Sequence, residues 1–80
     1  MDGREKYEIY EAMYTMIPIL EKAIRKYYEE RDYKVYCVFL SVADEETRSF
    51  FADIEVGGSP EKYNHLRFTQ TTEYFRKKYL

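Results

Sequence analysis

A run of apolar residues on a helical period constrains this chain more than any other feature. Tyr10, Met13, Ile17, Leu20, Ile24 and Tyr27 recur at spacings of 3, 4, 3, 4 and 3. That is one continuous stripe on a 3.6-residue repeat, and it predicts an amphipathic helix from about Arg4 to Glu30. Asp2 is placed to cap its start, and Glu5, Glu8 and Glu11 suit the positive end of its dipole. Glu21 with Arg25, and Arg25 with Glu29, are four apart and are expected to pair on the exposed side. Pro18 interrupts the run, because it cannot donate to the carbonyl of Tyr14 and its ring crowds that turn. The stripe keeps its phase across Pro18, which favours one kinked helix. The alternative starts a second helix at Thr15, with Pro18 in its first turn.

A second apolar ridge lies beside the first. Ala12, Met16, Ile19 and Ala23 follow at spacings of 4, 3 and 4. The combined arc is wider than contact with one sheet requires, so another element or a partner is expected to pack there.

Tyr33 to Val42 (YKVYCVFLSV) is rich in β-branched and aromatic residues and predicts a strand. Ala43 to Glu46 is the expected turn, Thr47 to Val56 the second strand, and Gly57-Gly58 its end. A four-residue loop sets Val42 opposite Thr47, so that paired residue numbers sum to 89. Phe39 then faces Phe50, Cys37 faces Ala52 and Val35 faces Ile54, all on a core face. The opposite face collects Tyr36, Val38, Leu40, Val42 and Phe51, with Asp53 opposite Tyr36 and Lys34 opposite Glu55. Such an apolar cluster is too large for a wet face. Beyond Gly58, the pattern predicts a short turn at Pro60, a third strand over Tyr63 to Thr69, and a final helix from about Thr72 to Leu80. The expected fold is α+β: a long N-terminal helix on a small antiparallel sheet of two to three strands, with a short C-terminal helix. Residues 1–80 are expected to form a single domain.

No motif carries chemistry. Cys37 and His65 are the sole cysteine and sole histidine, and one of each cannot build a structural zinc site. Cys37 falls on the expected core face, where a free thiol is inert packing. Asp44, Glu45 and Glu46 lack the spaced ligands of a calcium loop. Gly57-Gly58-Ser59-Pro60 lacks the lysine of a phosphate-binding loop. No enzyme activity, metal or cofactor is expected.

Net charge is −2, which disfavours a nucleic-acid partner. The charge is nevertheless divided. Asp44 to Glu55 carries five acids against Arg48, and Lys62 to Leu80 carries five bases against Glu73. Arg76, Lys77 and Lys78, flanked by Tyr74, Phe75 and Tyr79, would be the nucleic-acid or small-ligand contact if there is one. A single cysteine points to a cytoplasmic setting rather than a disulfide framework. MDGREKYE lacks the apolar core of a signal peptide, and no apolar run is long enough to span a membrane.

Aromatic residues make up 19 % of the chain, with ten tyrosines. Tyrosine supplies contact area and a polar tip at small entropic cost, which suits interfaces. The expected function is therefore a non-enzymatic interaction module that occludes a protein partner. A small inhibitor from a phage or mobile element, acting on a host defence or nucleic-acid enzyme, fits this profile. Its contact residues would be Tyr36, Val38, Leu40, Phe51 and Asp53 on the sheet, Met16 and Ile19 on the helix, and Asp44, Glu45 and Glu46 facing a basic partner. The alternatives are a homodimer or other homo-oligomeric subunit, and a weak nucleic-acid or ligand binder.

Overall fold

Helix α1 spans Gly3–Glu29 and passes through Pro18 as one element, as the unbroken phase of the stripe requires. It is followed by strands β1 (Lys34–Asp44), β2 (Ser49–Gly57) and β3 (Asn64–Thr71), and by helix α2 (Thr72–Tyr79). The computed structural model describes residues 3–58 and 63–80. The expected Asp2 cap and the turn at Pro60 lie outside them. The architecture is the expected α+β fold, with an antiparallel sheet in the order β1-β2-β3. No helix of the described residues is long and apolar enough to cross a membrane.

Both helix ends of the core are fixed by local chemistry. At the end of α1, Asp32 N–H bonds to Glu29 O at 3.1 Å and Tyr33 N–H to Tyr28 O at 3.0 Å. Asp32 adopts a left-handed φ of 66°. This is a Schellman stop, and the accompanying apolar contact is Tyr28 against Tyr33, with ring centroids 5.9 Å apart. At the start of α2, the Thr71 hydroxyl oxygen accepts from Tyr74 N–H at 3.2 Å, an ordinary N-cap.

α1 packs along β1, and α2 packs on β3 and beside α1, so both helices cover the same face of the sheet. Their shared core holds Met13, Leu20, Ile24 and Tyr28 of α1, Leu40 of β1, alternate residues Phe50 to Val56 of β2, and Phe75 and Tyr79 of α2. The Cα radius of gyration is 13.9 Å, against about 11.6 Å for a compact chain of this length. The molecule is thus a rod, 49 × 18 × 17 Å, with one thin apolar layer. Tyr10 was expected in the stripe but is exposed, stacked on Tyr14 at 6.0 Å. The cause is position along α1: Lys6 already reaches the β1–β2 turn, pairing with Glu45 at 2.9 Å, so little sheet remains beneath the first turns.

The strand register differs from the expectation. Val42 faces Phe50, Leu40 faces Ala52 and Val38 faces Ile54, so these pairs sum to 92 rather than 89. β1 continues through Asp44, and the turn occupies Glu45 to Arg48. There Asp44 Oδ1 accepts from Glu46 N–H at 2.9 Å, and Arg48 takes a left-handed φ of 53°. Register shifts fall between Val35 and Cys37 and between Val42 and Asp44. An odd shift reverses every side chain of one strand. Leu40 is therefore 3 % exposed in the core, with Val38 and Val42 packed beside it, while Cys37 and Phe39 face the other way. The expected salt pairs of Glu21 and Arg25 are also redirected. Glu21 Oε2 accepts from Leu40 N–H at 3.0 Å, and Arg25 Nη1 donates to Val35 O at 3.4 Å. Both side chains satisfy backbone groups on the outer edge of β1.

The C-terminal lock is aromatic. The hydroxyls of Tyr28 and Tyr79 meet at 3.2 Å inside the core. Burial, and then the bond to Tyr28, hold the Tyr79 phenol far above the ordinary tyrosine range. The folded protein therefore keeps this proton at a pH where the unfolded chain releases it. Stability from this group is complete below about pH 10 and falls above it, by up to about 1.4 kcal/mol per pH unit. Urea titrations between about pH 9 and 11.5 should show that decline, and Tyr79→Phe should flatten it. An equal slope in Tyr79→Phe would exclude Tyr79 as its source.

Candidate interaction face

Because both helices lie on one side, no element of the described residues covers the other side of the sheet. Its residues follow from the register. Cys37, Glu55 and His65 form one cross-strand row, Phe39, Asp53 and Arg67 the next, and Ser41, Phe51 and Thr69 the third. Asp53 stands at the centre. Its Oδ1 contacts His65 Nε2 at 2.7 Å and its Oδ2 lies 3.6 Å from Arg67 Nε. The Arg67 guanidinium is also 5.9 Å from the Phe51 ring. Glu55 accepts from the Tyr63 hydroxyl at 2.8 Å, and this bond raises the Tyr63 phenol above its usual range. The acids of this face thus have partners within it.

Aromatic side chains surround that polar centre. Phe39 is 50 % exposed, Tyr36 53 % and Tyr63 51 %. The Tyr36 ring is held in place rather than free. It lies against Gly57, where a Cβ would come within 2.8 Å of Cε2, and the Lys34 ammonium is 5.7 Å from its centroid. A half-exposed aromatic over a glycine is a rigid, area-rich contact.

The structure sorts the expected contact residues into separate places. Tyr36, Phe51 and Asp53 share this face, as the sequence reading had them. Val38 and Leu40 do not, because the register shift puts them in the core. On the helix, Met16 is half-buried beside α2, whereas Ile19 is 55 % exposed on a different side of the molecule from the sheet face. Asp44, Glu45 and Glu46 sit at the hairpin tip, but Asp44 is used within the turn and Glu45 is engaged by Lys6. Of the basic segment, Lys77 pairs with Glu73 at 3.7 Å and Lys78 leans on the Tyr74 and Tyr79 rings.

Phe39, Cys37, Arg67 and Tyr63 were not anticipated here, whereas His65 was expected at the sheet surface and lies there. Cys37 faces the solvent side of the sheet, not the core. Its thiol points to the Asp53 carbonyl at 4.0 Å, and Glu55 lies between it and His65 in the row. Two strand spacings put their backbones about 10 Å apart, so they do not form a nucleophile–base pair. Among the described residues no three His, Cys, Asp or Glu side chains are grouped to hold a metal ion. No protein-family model, curated protein or solved structure matches the chain.

Proposed function

We propose that this chain is a non-enzymatic interaction module that occludes a protein partner through the open face of its sheet. The observation that carries this reading is the pairing of exposed, braced aromatics with a charge centre neutralised from within. Charged groups normally make a surface costly to bury, because a partner must replace their water. Here His65 and Arg67 already flank Asp53, and Tyr63 already serves Glu55. A partner can cover Asp53 without supplying a counter-charge, while Glu55 keeps its charge and has one of its donors in place. Tyr36, Phe39 and Tyr63 then provide the apolar area and aromatic anchors in which binding energy concentrates.

The test is capture from a lysate of the cells that naturally carry the gene. Wild type should retain a specific protein, Phe39→Lys and Tyr36→Ala should lose it, and Tyr14→Ala, on the exposed side of α1, should keep it. Retention of the same protein by Phe39→Lys, or no retention by wild type, would remove this reading.

A further inference from the structure

The helix side of the molecule carries a second feature that the sheet face does not use. A cleft of about 190 Å³ opens where α1, the β1–β2 turn and α2 converge. Ile9, Met13 and Met16 of α1 form its floor, and Arg48, Thr72 and Arg76 form its rim. The floor is wholly apolar, and methionine adapts its shape to what it contacts.

The rim is rigid and positively charged. The Arg48 carbonyl accepts from both the backbone N–H and the hydroxyl of Thr72, each at 2.7 Å. Those two bonds tie the turn to the first residue of α2 and fix Arg48 in its left-handed conformation. The guanidiniums have no such ties. Among the described residues, neither Arg48 nor Arg76 has a side-chain hydrogen bond or ion pair. Arg4, Lys6, Lys26, Arg67 and Lys77, by contrast, are all paired with acids. Glu73 lines the adjoining concavity and is held by Lys77. Two unpaired arginines therefore border one apolar cleft.

We propose that this cleft binds a small amphiphilic anion, a carboxylate or phosphate carried on a short apolar body. The guanidinium fork matches the oxygens of either anion, and the methionine floor takes the chain. The size limits the body. Sites for drug-sized ligands run to about 300–1,000 Å³, so this cleft admits only a short chain. A nucleic-acid backbone would use the arginines but leave the apolar floor unfilled. This site and the sheet face lie on different layers, so each succeeds or fails alone.

The probes are octanoate and octyl phosphate, followed by calorimetry and by amide shifts in the full chain. Both should bind saturably, with shifts centred on Met16, Thr72 and Arg76. Octanol and inorganic phosphate should each bind at least about tenfold more weakly, because each lacks half the ligand. Arg48→Gln with Arg76→Gln should weaken octanoate by at least about tenfold while leaving octanol unchanged. Ala12→Phe, at an exposed position lining the cleft, should block both probes with the arginines intact. Absence of saturable binding, equal affinity for octanol, or equal affinity for inorganic phosphate would each overturn the proposal.

Discussion

Lysine in place of Leu40 is expected to unfold this protein, while lysine in place of its neighbour Phe39 is expected to be tolerated. Leu40 lies in the core opposite Ala52, and its N–H is held by Glu21. A lysine there would lose the leucine's buried area and place an ammonium among apolar side chains. Together these cost about 4 kcal/mol or more. Total stability for a chain of this length is about 4–12 kcal/mol, so the folded state would be marginal or lost. Phe39 is on the opposite pleat and half-exposed, with Asp53 as its cross-strand neighbour. A lysine there gains a carboxylate nearby and buries nothing, for a change within about 1 kcal/mol. Urea midpoints for the two variants decide the matter. The reverse order would mean that the strands pair with numbers summing to 89 after all.

Phe75→Ala is expected to cost about 3–5 kcal/mol. Phe75 is fully buried and makes ring contacts with Phe50 at 6.0 Å, Phe68 at 5.7 Å and Tyr79 at 6.2 Å. α2 has only eight residues, far too few to be helical on its own in water. Its helicity therefore depends on Phe75 and Tyr79 being seated. Without the ring, α2 should detach and uncover Phe50 and Phe68. Amide exchange across Thr72–Tyr79 should then accelerate along with the loss of global stability. A loss below about 1 kcal/mol would show that α2 is held by something other than this ring.

The parts that were legible in the sequence are those where polar and apolar residues alternate clearly. The α1 stripe crosses Pro18 without losing phase, and the helix follows it. Threonines at 71 and 72 followed by an aromatic-basic run mark the start of α2. β2 reads FFADIEV, where Asp53 and Glu55 can only face water, and its core residues Phe50, Ala52, Ile54 and Val56 are where the pattern puts them. β1 offers no such guide. Its two faces, Val38-Leu40-Val42 and Cys37-Phe39, are both apolar, so period-2 alternation does not choose between them. The choice then rests on the turn, and the turn is displaced by the left-handed Arg48 and the register shift between Val42 and Asp44. Those features depend on backbone geometry and on bonds to α2, which local sequence does not encode. The missed site residues had a weak signal. A third strand with Leu66 and Phe68 inward must place Arg67 outward with His65, beside the acids of β2.

Glu21 and Arg25 reach past the core to occupy backbone groups on the outer margin of β1. That side of the sheet is consequently obstructed by the protein's own long helix. Any extra strand, whether from a second copy or another protein, would have to enter beside β3. Growth by strand addition is therefore one-sided. Two copies meeting through β3 would leave only obstructed margins outside, and the assembly would stop at a pair instead of extending into a fibre.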